Sequence, residues 1–235
     1  MASPALSKER LPPEGAMRWG EIIKFDDQLE QPKDIRLHKI LSDSPYKKTI
    51  KYMFRGPFSS KYVDLFASQL NSDIVCDADY KDEACTINLQ SNYKWGTLSS
   101  KLRDLLAYYC QRDISNTVFI KIDDDLIISN RELNRLIDRF SKSDCLLAGH
   151  IATDFPFYWA TGQIYLFKSS ELMRICNKPI LKEEPFHGSE DIYLGYLFNI
   201  VDKNKVCDID KYTEYFHKEY SDERLNITYI QQHNY

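Results

Sequence analysis

The sequence predicts an α/β domain, a mostly parallel central sheet flanked by helices, and three observations carry that expectation. Strand-like segments alternate with segments whose apolar residues recur at helical spacing. One segment, Thr117 to Ile122 (TVFIKI), is a compact apolar run of the kind that suits a central strand covered on both faces. The chain has 235 residues, 43% hydrophobic and 28% charged, which is enough for one full core and an ordinary globular balance.

Taken in order, residues 1 to about 45 hold Pro4, Pro12, Pro13, Pro32 and Pro45 without sustained periodicity and read as an irregular arm. Residues 46–235 read as a single domain. Thr49 to Phe54 predicts a strand, ended by Gly56-Pro57, and Ser59 is placed to cap a helix with Val63, Phe66, Ala67 and Leu70 on one face. Ser72 to Cys76 reads as the next strand. Leu98-Ser99-Ser100 opens a helix with the stripe Leu102, Leu105, Leu106 and Tyr109. Beyond TVFIKI, a helix from about Asn130 to Ser141 is expected to bury Leu133, Leu136, Ile137 and Phe140. Cys145 to Ile151 and Tyr158 to Phe167 read as strands. Ser169-Ser170-Glu171 is placed to cap a short helix, and Asp191 to Val201 predicts another through Ile192, Tyr196, Leu197 and Ile200.

Composition excludes several classes of function. A net charge of −4 provides no basic field for a nucleic-acid backbone. No apolar run is long enough to cross a bilayer, and no signal-peptide core is visible, so the chain reads as soluble or as the soluble part of something longer. Six cysteines lie scattered with no C-x-x-C, which disfavours zinc fingers and thioredoxin-like motifs; buried thiols and two or three bridges stand equal. The sequon Asn226-Ile227-Thr228 is usable only in a secretory lumen.

The chemistry concentrates at Asp123-Asp124-Asp125, directly after the apolar strand. Three adjacent carboxylates repel one another and lose hydration there unless a cation or donors compensate. Strand alternation would send Asp123 and Asp125 to one side and Asp124 to the other. Hard oxygen ligands suit Mg2+ or Mn2+, which keep positions for phosphate oxygens and water. An acidic turn capping the next helix is the bland alternative. Glu190-Asp191 is either the acidic first turn of a helix or a carboxylate facing a cleft as general base. His217 could complete a metal site with Asp125. Lys101 is a solvated helix residue or a phosphate contact, and Tyr158 and Trp159 are core or a sugar-stacking platform.

The order of these pieces resembles the Fringe-like and β-1,3-galactosyltransferase group, glycosyltransferase family 31. The matching residues are Asp79-Tyr80, Asn88-Leu89, Lys101, Cys110 and Asp123-Asp124-Asp125, then Pro156, Tyr158, Gly162 and Tyr165, then Glu190, Asp191, Gly195 and His217. Gln90 departs from the family's usual threonine. The resemblance implies a GT-A-type nucleotide-sugar-binding fold, a UDP-sugar donor, Mn2+ or Mg2+, and inversion at the anomeric carbon. Carried over by position, Asp125 and His217 would bind the metal, and Asp123, Asp124 and Lys101 would face the nucleotide. Asp191 would be the catalytic base, and Trp159, Gly162 and Glu190 would meet the substrate sugars. It further implies a glycan acceptor on a glycoprotein or glycolipid, and the Golgi or secretory lumen, reached through an anchor that this chain does not display. A catalytically silent UDP- or glycan-binding relative is the alternative. A phosphohydrolase lacks its Gly-rich loop and its Asp-x-Asp-x-Thr nucleophile motif.

Overall fold

The expected strands become β1 (Lys48–Arg55), β2 (Asp73–Cys76), β4 (Thr117–Ile122), β5 (Leu147–Ala152) and β6 (Trp159–Lys168), and two short strands outside that expectation, β3 (Ile87–Asn88) and β7 (Val206–Asp208), join them. This computed structural model describes residues 29–56, 59, 63–80, 82–124, 126, 128–181 and 188–209. The strands form one sheet in the order β3-β2-β1-β4-β6-β5-β7. Pairing is parallel except along β6, which runs against both β4 and β5. The reason is local: the link 153–158 between β5 and β6 is too short for a crossover, so the two strands form a hairpin. The result is an α/β fold with a mixed seven-stranded sheet flanked by helices.

Helices α1 (Val63–Leu70), α2 (Leu98–Cys110), α3 (Asn130–Lys142), α4 (Ser169–Ile175) and α5 (Glu190–Phe198) divide between the two faces. Strand alternation decides which residues meet them. Met53, Val118, Ile120 and Ile122 pack against α1 and α3 through Phe66, Leu70, Leu133, Leu136 and Phe140. Tyr52, Phe119 and Phe167 face α2, α4 and α5 through Leu102, Leu106, Leu172, Leu194 and Phe198. Every residue of β4 is buried, as a central strand requires. By the same alternation Lys121, two residues beyond Phe119, points toward α5.

Several local expectations are corrected. Ser169 and Ser170 sit inside the first turn of α4, with Lys168 as the cap residue. Strand β6 runs directly into that helix, and the Ser169 hydroxyl instead accepts from the Thr117 N–H at 3.1 Å. The helix expected to reach Val201 stops at Phe198, because Asn199 turns left-handed at φ 46° and donates to the Gly195 carbonyl. Its apolar residues lie all round, so periodicity found the face only in part: Leu197 and Ile200 are buried as expected, Tyr196 is exposed, and Tyr193, Leu194 and Phe198 are buried besides. Part of the arm is tied to the sheet edge. Ile35 is fully buried and the Asp208 N–H donates to the Lys33 carbonyl at 3.1 Å. The helix start after Ser59, the earlier part of the arm and the sequon lie outside the described residues.

All six cysteines are paired, as Cys76–Cys85, Cys110–Cys176 and Cys145–Cys207. The second bridge fastens the end of α2 to the end of α4 across a separation of 66 residues. Cutting so long a loop returns chain entropy to the unfolded state. The double substitution Cys110→Ser/Cys176→Ser is expected to lower unfolding free energy by roughly 2–4 kcal/mol, read as a lower urea midpoint. No helix among the described residues is long and apolar enough to cross a membrane.

Candidate functional site

The sheet reverses its winding between β1 and β4: the chain builds outward from β1 through β2 and β3, then returns to β1's other side. Ligands of open α/β sheets bind at such a switch point, beyond the strands' carboxyl ends. The residues ending there are Arg55, the last of β1, and Gly56, Asp77 after β2, and Asp123 and Asp124 after β4. Helix α5 brings its amino end to the same place. The Gly188 N–H donates to the Gly96 carbonyl at 3.0 Å and the Ser99 N–H to the Gly188 carbonyl at 3.3 Å, tying the starts of α2 and α5 together.

Two lysines sit in the floor of this region, each buried and each paired. Lys101, 2% exposed, forms an ion pair with Asp77 Oδ1 at 2.6 Å and donates to the Arg55 carbonyl at 2.6 Å. Burial pushes its ammonium below the usual lysine range, and the Asp77 carboxylate offsets part of that. Lys101 was expected to meet the nucleotide; its ammonium is taken up by Asp77 and the Arg55 carbonyl, and its charge also reaches the region as a field. Asp124 and Glu190 both feel that field. Lys121, also 2% exposed, ion-pairs with Asp123 and with Glu190 Oε1, the latter at 2.9 Å, and donates to the Gly162 carbonyl. Burial alone would depress it, but Asp123 and Glu190 outweigh burial and hold the ammonium above its ordinary range. Glu190, expected to touch substrate, is thus turned inward onto Lys121.

Asp191 lies in the first turn of α5 and is almost wholly buried. Its Oδ1 accepts from the Ser189 hydroxyl and from the Ile192 N–H, the latter at 2.7 Å. Oδ2 is left aimed at β6, where a Cβ on Gly162 would lie 3.2 Å away. The missing side chain of Gly162 therefore lets Asp191 pack closely against β6 beside Lys121, whose Nζ would stand 3.7 Å from that same Cβ. Burial first, and the Glu190 charge second, push the Asp191 carboxyl up to about 7. A carboxyl of that basicity is suited to take a proton near neutrality.

Trp159, three residues before Gly162 on β6, is half-buried and donates its indole N–H to Asp154 Oδ1 at 2.7 Å. The structure thus brings Asp123, Gly162, Glu190 and Asp191 together around Lys121, with Asp124 and Lys101 within their electrostatic reach and Trp159 along the strand. Asp125 and His217 lie outside the described residues. Beyond Ile122 the chain leaves the strand and turns: the Leu126 N–H donates to the Asp123 carbonyl at 3.2 Å.

Asp123 and Asp124 are hard oxygen donors, although no third carboxylate or histidine converges on them among the described residues. The three donors that do converge, His38, Cys145 and Cys207, are no metal centre, since the two sulfurs form a disulfide. Two residues of the site escaped the sequence reading, Asp77 and Lys121. For Lys121 a signal existed: a lysine inside an otherwise apolar strand must be paired. Compared with known proteins, the chain matches no family model and no curated protein.

Proposed function

We propose that this chain is an inverting, metal-dependent glycosyltransferase of GT-A type, moving a hexose or N-acetylhexosamine from a UDP-sugar to a glycan hydroxyl. One observation carries the proposal: the buried Asp191 carboxyl, raised to about 7, and the strand-end Asp123 both stand near Lys121 at the sheet's switch point. A displacement with inversion needs those two functions on opposite faces of the anomeric carbon, one to accept the acceptor's proton and one to hold the departing diphosphate.

Asp191 Oδ2 is the atom to receive the acceptor proton, while Ser189 and the Ile192 N–H fix the carboxylate's plane through Oδ1. Asp123 and Asp124 would face the ribose and diphosphate, and the metal would be held by Asp125 and His217 as the family resemblance implies. A bound Mn2+ or Mg2+ would supply neutralising charge to the leaving UDP. Lys121 holds Asp123 and Glu190 at fixed separation, and Gly162 lets the base approach β6 closely. Three disulfides fit folding in an oxidising compartment, which supports a secretory or Golgi lumen.

The test is a UDP-sugar panel with Mn2+ and glycan acceptors, read as UDP release and as a lengthened glycan. Release that depends on acceptor and disappears with chelator is expected. Release that survives chelation removes the metal, and UDP binding by calorimetry without transfer to any acceptor leaves a silent relative.

A further inference from the structure

We infer that His38, Cys145 and Cys207 bind zinc whenever the Cys145–Cys207 bridge is open, so that the metal takes over from the disulfide in fastening the arm to β5 and β7. Separate elements bring the donors together. Cys145 precedes β5 and Cys207 lies in β7, and the pairing of Leu147 with Val206 sets the two cysteines side by side, their Cα atoms 5.9 Å apart. His38 ends the helical turn Ile35–Leu37, which Ile35 anchors in the core. The Leu41 N–H, donating to the Lys142 carbonyl at 3.1 Å, holds the arm down on the other side of the histidine. Cys145 enters the sheet at the amino end of β5, and β5 runs in the same sense as β4, so it lies at the opposite end from Asp123 and Asp124.

The spacing is that of a zinc shell. One donor atom from each residue lies within 4.8 Å of the other two, and His38 Nδ1 stands 3.6 Å from Cys145 Sγ. Across a tetrahedral zinc, with Zn–N about 2.0 Å and Zn–S about 2.3 Å, a nitrogen and a sulfur lie ~3.5 Å apart. The two sulfurs would lie ~3.8 Å apart on the same geometry, a separation that opening the bridge permits. The other ring nitrogen, Nε2, is buried with no hydrogen-bond partner among the described residues, so the fold makes no use of that polar atom. Asp34 and Asp144 both act on His38 electrostatically and favour a cation there. Two thiolates and an imidazole select zinc over Mg2+ or Mn2+. The opening balances with a dithiol as reductant. Its thiolate attacks one sulfur of the bridge, the other sulfur leaves as a thiolate, and the dithiol closes into its own disulfide. Two electrons pass to the cysteines, and zinc then displaces one proton from each thiol. The same thiols exist in a newly made chain before the bridge closes.

Cobalt(II), a spectroscopic stand-in for zinc, tests the site on the full chain after reduction with a dithiol and anaerobic removal of the reductant. The reduced wild type is expected to show thiolate-to-cobalt charge-transfer absorption and tetrahedral d–d bands, which Zn2+ bleaches. The oxidised protein should show neither. The double substitution Cys145→Ser/Cys207→Ser is expected to abolish both signals, and His38→Ala to weaken zinc binding by at least about tenfold. X-ray absorption at the zinc edge gives a second measurement on the unaltered chain, with sulfur and imidazole nitrogen expected in one shell. Absence of the charge-transfer band from the reduced wild type overturns the inference. So do bands that persist in the double serine variant, which would place the metal on Cys76, Cys85, Cys110 and Cys176. Undiminished zinc affinity in His38→Ala, or an edge spectrum without imidazole, overturns it as well.

Discussion

Lys121→Met is expected to destabilise the protein by about 3–5 kcal/mol, the range for removing one partner of a buried ionic group. At this chain length that corresponds to a fall of roughly 6–20 °C in thermal midpoint. Methionine matches the stem of lysine, so the lost packing is small and the cost is electrostatic. Without the ammonium, Glu190, 5% exposed, and Asp123 are left facing one another with no cation between them. Two further measurements separate this from a cavity effect. Adding Glu190→Gln to Lys121→Met should recover part of the loss, a coupling that a void would not give. Stranded carboxylates have folded-state pKa values raised above the unfolded ones, so the variant's deficit should grow as pH climbs from about 4 and shrink on acidification. Equal deficits at pH 5 and pH 8 would place the effect in packing.

Lys121 also marks the boundary of what was legible in advance. The layered α/β fold was readable because TVFIKI and the stripe Leu102, Leu105, Leu106 and Tyr109 each impose one period, and burial follows the period. The end of α5 was not, because EDIYLGYLF is apolar all round and Asn199 can take a left-handed turn that no periodicity announces. In the site, the aspartates and Asp191 were visible as charges out of place. Their partners were hidden because pairing belongs to the tertiary fold. Asp77 reaches Lys101 only through the adjacency of β2 and β1, and Lys121 reaches Glu190 only through the docking of α5. The same cause hid the pairing of Glu190 and Lys101. As sequence each is a charge beside a motif, and in the fold each is the counter-ion of a buried neighbour. Disulfide pairing was undetermined for a related reason, since six scattered cysteines permit 15 connectivities.

Asp191→Asn is expected to reduce kcat by about a hundred- to ten-thousandfold with little effect on binding of the UDP-sugar. Asparagine keeps the shape and can still accept from Ser189 and the Ile192 N–H, so a loss on this scale reports the missing basic oxygen rather than a displaced helix. The pH profile gives the argument its second leg. A base raised to about 7 must be ionised to act, so the wild-type rate should climb with pH through about 7 and then level. After burial, the Glu190 charge is the largest contributor to that elevation, and Lys121 pulls the other way. Glu190→Gln removes the repulsion and frees more of the Lys121 field, and both changes favour the ionised form of Asp191. The acid limb should therefore shift to lower pH in Glu190→Gln, whatever the variant does to the maximal rate. A limb that stays in place would show that another group takes the proton. A limb that moves up would mean that Glu190 acts on Asp191 chiefly by holding Lys121 in position, so that loss of the lysine's field outweighs relief of the repulsion.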